Sequence, residues 1–180
     1  MSVLITYASK HGSTREIAER IAAMLETNHV DVDVQPMKAV KDVSNYDAFV
    51  VGSAVYFGSW MKDATAFVRQ HQDTLSQRPV WLFSSGPLGT DTVDAEGNDP
   101  REAAEPKELA ELIETLKPRK HLVFYGALDS HDFGFTERLL HALPAGKKLL
   151  LEGDFRDWDE INRWAEMIAQ DLQEVVTIHD

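Results

Sequence analysis

The chain contains no cysteine, which removes disulfides, thiolate metal sites and thiol nucleophiles from consideration. No apolar run approaches the roughly 18 residues that suggest a transmembrane segment. The opening Met1-Ser2-Val3-Leu4-Ile5 lacks the basic flank and long apolar stretch of a signal peptide, so a cytoplasmic location is expected. Positive charge is scarce: 18 Lys and Arg stand against 30 Asp and Glu, giving a net charge of −12. Such a chain repels polyanions, and no nucleic acid is expected as a partner. The same acidic surface serves solubility and suits docking on a basic protein.

What is present is an ordinary globular balance, 43% hydrophobic and 27% charged over 180 residues. That suits one domain, residues 1–180, with a substantial core. Val3–Tyr7, Ala48–Val51 (ended by Gly52), Val80–Phe83 and Leu122–Tyr125 are short apolar runs without alternation, as expected of strands covered on both faces. Val30–Val34 alternates with Asp31 and Asp33 and suits a strand nearer an edge. Between the runs lie helical stripes: Ile17, Ala18, Ile21, Ala22 and Leu25 in one, and residues 61–72 in another. Pro106 is expected early in a third, before Leu109, Leu112, Ile113 and Leu116. The last is the clearest. Asp157 can cap it, Glu160 can complete a capping pair, and Trp158, Ile161, Trp164, Ala165, Ile168 and Leu172 form its buried stripe. Alternating strands and helices argue for a three-layer α/β fold with a doubly wound, five-stranded parallel sheet.

Residues 86–105 carry no hydrophobic periodicity, and loops of that length are usually functional or disordered. The apolar segment 135–151, broken by Pro144 and Gly146, reads as a helix plus a short strand or as an apolar excursion. Whether it meets a membrane or a second subunit in a homodimer is left open.

In an open α/β sheet, ligands sit beyond the carboxyl ends of the strands, so three loops carry the chemistry. Ser9-Lys10-His11-Gly12-Ser13-Thr14 leads from the first strand into a helix. Its hydroxyls, the close approach permitted by Gly12 and the helix N-terminus suit a phosphate, although the same pattern can serve as a plain helix cap. Gly52-Ser53-Ala54-Val55-Tyr56-Phe57-Gly58-Ser59-Trp60 offers small residues for a planar ring, with Tyr56, Phe57 or Trp60 to stack on it. Gly52 or Gly58 is expected to supply a peptide able to change orientation. Ser84-Ser85-Gly86-Pro87-Leu88-Gly89 offers backbone groups and hydroxyls. A Walker A loop, the dinucleotide fingerprint and a Gly-x-Ser-x-Gly elbow are all absent. The strand ends also lack the carboxylates of a phosphate-accepting receiver domain. Asp129, His131 and Asp132 are a place where metal ligands could converge, but solvated side chains are the simpler expectation, and no metal is assigned.

Thr6–Thr14 resembles the phosphate-binding signature of the flavodoxins, which share the doubly wound topology. Length, the Tyr56-Phe57-Gly58 step and Asp157-Trp158 opening a helix resemble the branch that includes menaquinone-dependent protoporphyrinogen dehydrogenase. The resemblance implies a flavodoxin-like fold and non-covalent FMN as cofactor. It implies that Ser9, Lys10, His11, Gly12, Ser13 and Thr14 hold the phosphate. Ser53, Ala54, Val55, Tyr56, Phe57 and Gly58, with Ser84, Ser85, Gly86, Pro87, Leu88 and Gly89, would flank the ring. The implied role is electron transfer through flavin, with a redox partner protein or a quinone or porphyrinogen substrate. Flavodoxins often place an aromatic in the third loop, and Ser84–Gly89 has none.

Overall fold

In the computed structural model the described residues are 1–89, 93, 97–129, 131, 134, 141 and 151–179. The strands are β1 (Ser2–Ala8), β2 (Asp31–Pro36), β3 (Ala48–Tyr56), β4 (Ser59–Trp60), β5 (Val80–Ser85), β6 (Lys120–Phe124), β7 (Ala127–Leu128) and β8 (Gly153–Asp154). The α-helices are α1 (Ser13–Thr27), α2 (Lys62–Leu75), α3 (Pro100–Ala103), α4 (Leu109–Leu116) and α5 (Trp158–His179). The main sheet runs β2-β1-β3-β5-β6, and its neighbours all pair in parallel. This is the five-stranded doubly wound order expected from the sequence, with the chain reversing its direction of travel beside β1.

Alternate residues of each central strand face opposite layers. Val3, Ile5, Ala48, Val50, Trp81 and Phe83 meet α1 and α5 in one core, while Leu4, Phe49, Val51 and Leu82 meet α2 and α4 in the other. The stripes of α1 and α5 are buried as their spacing requires, with Ile17, Ile21, Leu25, Ile161 and Ile168 fully inside. Each such side chain contributes about 1.5–3 kcal/mol on leaving water. Trp164 is a core anchor as expected, packed edge-on against Phe83 and Phe124 at 6.1 and 5.5 Å.

Several boundaries differ from expectation. Strand β3 does not stop at Gly52: it continues to Tyr56, turns over Phe57 and Gly58, and pairs antiparallel with β4. The glycine ends nothing because its missing side chain makes room for the ring of Phe83 inside the sheet. Ser84 and Ser85 likewise lie within β5. Pro106 precedes α4 instead of opening it, and its carbonyl accepts the Leu109 amide. The stretch read as aperiodic contains the one-turn helix α3, where Asp99 caps the Arg101 amide and Pro100 stands at the first position. Asp157 caps the Glu160 amide at 2.9 Å as expected, but the Glu160 carboxylate pairs with Arg101 instead of returning to the cap. Of the apolar segment 135–151, only His141 and Leu151 are among the described residues.

A buried polar chain fastens β4 to the sheet. The indole N–H of Trp60 donates to Ser84 Oγ at 2.8 Å, and Ser84 Oγ lies 2.9 Å from His121 Nε2. The indole only donates, so Ser84 Oγ keeps one proton and one lone pair, and neutral imidazole at His121 satisfies it in either tautomer. Burial agrees, lowering the His121 pKa to about 4. The unfolded chain, with an ordinary pKa near 6.5, binds the proton first. Stability is therefore complete above about pH 6.5 and falls as pH drops towards 4. The expected loss from this group is about 2 kcal/mol by pH 5. Urea unfolding at pH 7 and pH 5 should show that loss in the parent and a smaller one in His121→Gln. Equal slopes would remove His121 as the source.

Candidate functional site

The carboxyl ends of β1, β3, β5 and β6 bring the three sequence-selected loops to one edge of the sheet. The β1–α1 connection is held by its own backbone. Gly12 sits at φ +89, a left-handed conformation that suits glycine, and α1 has no side-chain cap. The first helical bond runs from the Glu16 amide to the Gly12 carbonyl. The amides of Ser13, Thr14 and Arg15 therefore precede the helix ladder and point out of its positive end.

The two serines here use their oxygens as acceptors. Ser9 Oγ takes the Gly12 amide at 3.1 Å, and Ser13 Oγ takes the Ala127 amide at 2.9 Å. Each hydroxyl keeps its one proton to donate, which is the inventory an anion requires. Thr14 is buried beside them at 1% exposure. His11 faces the edge of the Tyr56 ring at 6.4 Å, and the Lys10 ammonium stands 5.7 Å from that ring's centre.

The second and third regions are less uniform than their composition suggests. Ser53 Oγ donates to the Ala54 carbonyl and accepts the Met61 amide, and Ser84 Oγ is spent between Trp60 and His121. Both serines are fully buried, so their hydroxyls serve the sheet. Trp60 is buried as well and is not available for stacking. Phe57 is the opposite: it is 95% exposed at φ 53, next to Gly58 at φ 71. Tyr56 is half-buried beneath Lys10. Gly52 is fixed in β3, and the Gly58 carbonyl accepts the Lys107 amide at 2.9 Å, so neither peptide is loose.

A fourth strand end, that of β6, completes the edge. The Gly126 amide donates to the Pro87 carbonyl, the Gly126 carbonyl accepts the Phe155 amide, and the Gly86 amide reaches the Phe124 carbonyl. With Ala127 on Ser13, these bonds tie the first and third loops together. The sequence signal is a glycine directly after the apolar run Leu122–Tyr125, a strand end outside the three selected loops. A cleft of about 560 Å³ opens between His11, Ser13 and Glu16 on one side and Ala127–Asp129, Glu152–Asp154 and Arg156 on the other. In it the Arg156 guanidinium bridges Asp154 and Glu16 at 2.6 and 2.7 Å and stacks over Trp158. Burial pulls the Arg156 pKa down, but its bonds to Asp154 and Glu16 outweigh this and hold it above the ordinary value. Asp129 takes the His131 amide at 2.8 Å, whereas Asp132 lies outside the described residues. No cluster of metal-ligating side chains forms among the described residues, nor is any described helix long and apolar enough to cross a membrane.

A doubly wound parallel sheet whose first strand feeds an uncapped, glycine-opened helix defines an α/β protein of the flavodoxin-like class. The flavodoxin domain matches residues 4–145, and the chain belongs to that family: it is an FMN-binding redox protein. Protoporphyrinogen IX dehydrogenase [quinone] from Escherichia coli K12 is 23% identical over 176 residues, covering 94% of this chain and 95% of that one. Among solved structures, a flavodoxin from the Archaea superposes with a TM-score of 0.63 at 18% identity, covering 96% of this chain and 99% of that one. A Streptococcus pneumonia TIGR4 flavodoxin gives 0.60 at 19%, covering 95% and 99%.

Proposed function

We propose that the FMN phosphate sits in Ser9–Thr14 and that the ring lies between Tyr56–Gly58 and Gly86–Gly89. There it exchanges electrons with a redox partner protein. The observation that carries this placement is the donor set at α1: three amides ahead of the helix ladder and two serine hydroxyls with protons to give. Bound flavin supplies one- or two-electron transfer, and the chain supplies position, charge and exclusion of water. The residues fit that task. Gly12 lets the backbone approach the phosphate, Phe57 offers an open aromatic face, and Gly86–Gly89 presents backbone to the ring's polar edge. Lys10 and His11 add positive or polar rim, while Ala54 and Val55 lead β3 into the turn.

A second reading makes the chain an enzyme acting on a quinone or a porphyrinogen. It is favoured by the near full-length similarity to protoporphyrinogen IX dehydrogenase. It is also favoured by the rim of the turn, where an exposed aromatic stands between two cations in an acidic protein. Lys10 is over Tyr56, and the Lys107 stem lies 3.4 Å from where a Gly58 side chain would begin. An apolar ring system carrying carboxylates suits such a rim.

Absorbance of the FMN-loaded protein during anaerobic reductive titration separates the two readings. Two resolved one-electron steps are expected for the carrier. Direct two-electron reduction, with reoxidation by added quinone, would replace the carrier by the enzyme. Failure to take up FMN would overturn the placement itself.

A further inference from the structure

The turn offered to the ring is held in a conformation its own residues do not favour. Phe57 is a bulky residue at positive φ, a conformation its side chain disfavours, and its 95% exposed side chain recovers little packing. The restraint comes from a segment 48 positions downstream. The Lys107 amide donates to the Gly58 carbonyl at 2.9 Å, and the Glu108 carboxylate accepts the Trp60 amide through Oε2 at 3.2 Å. These bonds bracket the turn, one on Gly58 and the other on the first residue after Ser59.

Glu108 is placed to do something else and does not do it. It stands at the N-cap of α4, where a side-chain oxygen would ordinarily accept an amide of the first helical turn, yet it makes no cap bond there. Its carbonyl does enter the helix, accepting the Leu112 amide at 2.9 Å. Its carboxylate instead reaches across to β4, which is already anchored from beneath by Trp60, Ser84 and His121. The segment leaving the turn is therefore gripped from the sheet side and from the α4 side.

We propose that Glu108, with the Lys107 amide, is a positioning residue that holds the strained Phe57–Gly58 turn in its ring-binding shape and so sets FMN affinity. The proposal rests on the placement of the ring given above. It makes the end of the long β5–α4 connection part of the cofactor site, although no side chain of Lys107 or Glu108 needs to touch the flavin.

Three variants test it through FMN dissociation constants from flavin fluorescence and amide exchange of residues 57–60 in the FMN-free protein. Glu108→Ala is expected to weaken FMN at least fivefold and to speed exchange at Gly58 and Trp60. Glu108→Asp, which keeps the charge but shortens the reach, should behave like Glu108→Ala. Glu108→Gln, whose amide oxygen can accept the same bond, should bind FMN within about twofold of the parent. If parent, Glu108→Ala and Glu108→Asp all bind equally, the proposal falls while the ring placement stands. Equal weakening in Glu108→Gln and Glu108→Ala also overturns it, since charge would then be the cause. A parent that takes up no FMN overturns the ring placement and the proposal together.

Discussion

Gly52→Ala is expected to be among the most destabilising single-methyl additions in the chain. A β-carbon at Gly52 would stand 2.0 Å from Cζ of Phe83 and 2.2 and 2.6 Å from its two Cε atoms, inside the ring's own volume. One of the two must move, and neither can do so cheaply. Gly52 is a central residue of β3, paired with Tyr7 on one side and Phe83 on the other. The ring of Phe83 is fully buried between Phe124 and Trp164, each centred 6.1 Å away. Overpacking a well-filled core commonly costs about 1–3 kcal/mol; with three contacts this short, a loss at or above the upper end of that range is expected. Urea unfolding monitored by tryptophan fluorescence gives the number. Phe83→Leu in the Gly52→Ala background should recover part of the loss, so the two changes should be non-additive. A Gly52→Ala protein as stable as the parent would mean that Phe83 does not lie over Gly52.

The sequence made the layers legible because burial on both faces leaves continuous apolar strands, and one-sided helices leave stripes at three and four. β1, β3, β5 and β6 were recognisable for the first reason, and α1 and α5 for the second. The loop after β1 was legible for a related reason: phosphate binding at a helix N-terminus is a local act, performed by neighbours in sequence. The second region was misjudged because glycine was read as a strand terminator. At Gly52 the deciding fact is a ring thirty-one positions away, which no local pattern carries. Ser84 carries the same lesson. A hydroxyl near a strand end reads as a donor to ligand, but this one is engaged by Trp60 of β4 and His121 of β6. The bonds from Lys107 and Glu108 onto the turn were invisible altogether, since nothing near either residue marks it as anything but part of a helix start.

The local legibility of the phosphate loop makes its test the sharper one. Replacing Ser13 and Thr14 together with alanine is expected to lower FMN affinity by one to a few kcal/mol, roughly fivefold to a few hundredfold. Two losses combine. The alanine at position 13 removes a hydroxyl proton from the anion and leaves the Ala127 amide without its 2.9 Å acceptor, loosening the tie between α1 and the β7–β8 pair. The alanine at position 14 removes a buried hydroxyl at the start of the helix. Riboflavin, which has the same ring and no phosphate, separates these effects from general damage. The parent should prefer FMN strongly, and the double variant should bind riboflavin as the parent does while losing most of its preference for FMN. Equal losses for both ligands would point to a disordered site, with the phosphate contact unproven. Unchanged FMN affinity would reduce Ser9–Thr14 to a helix start and move the phosphate elsewhere along the strand ends.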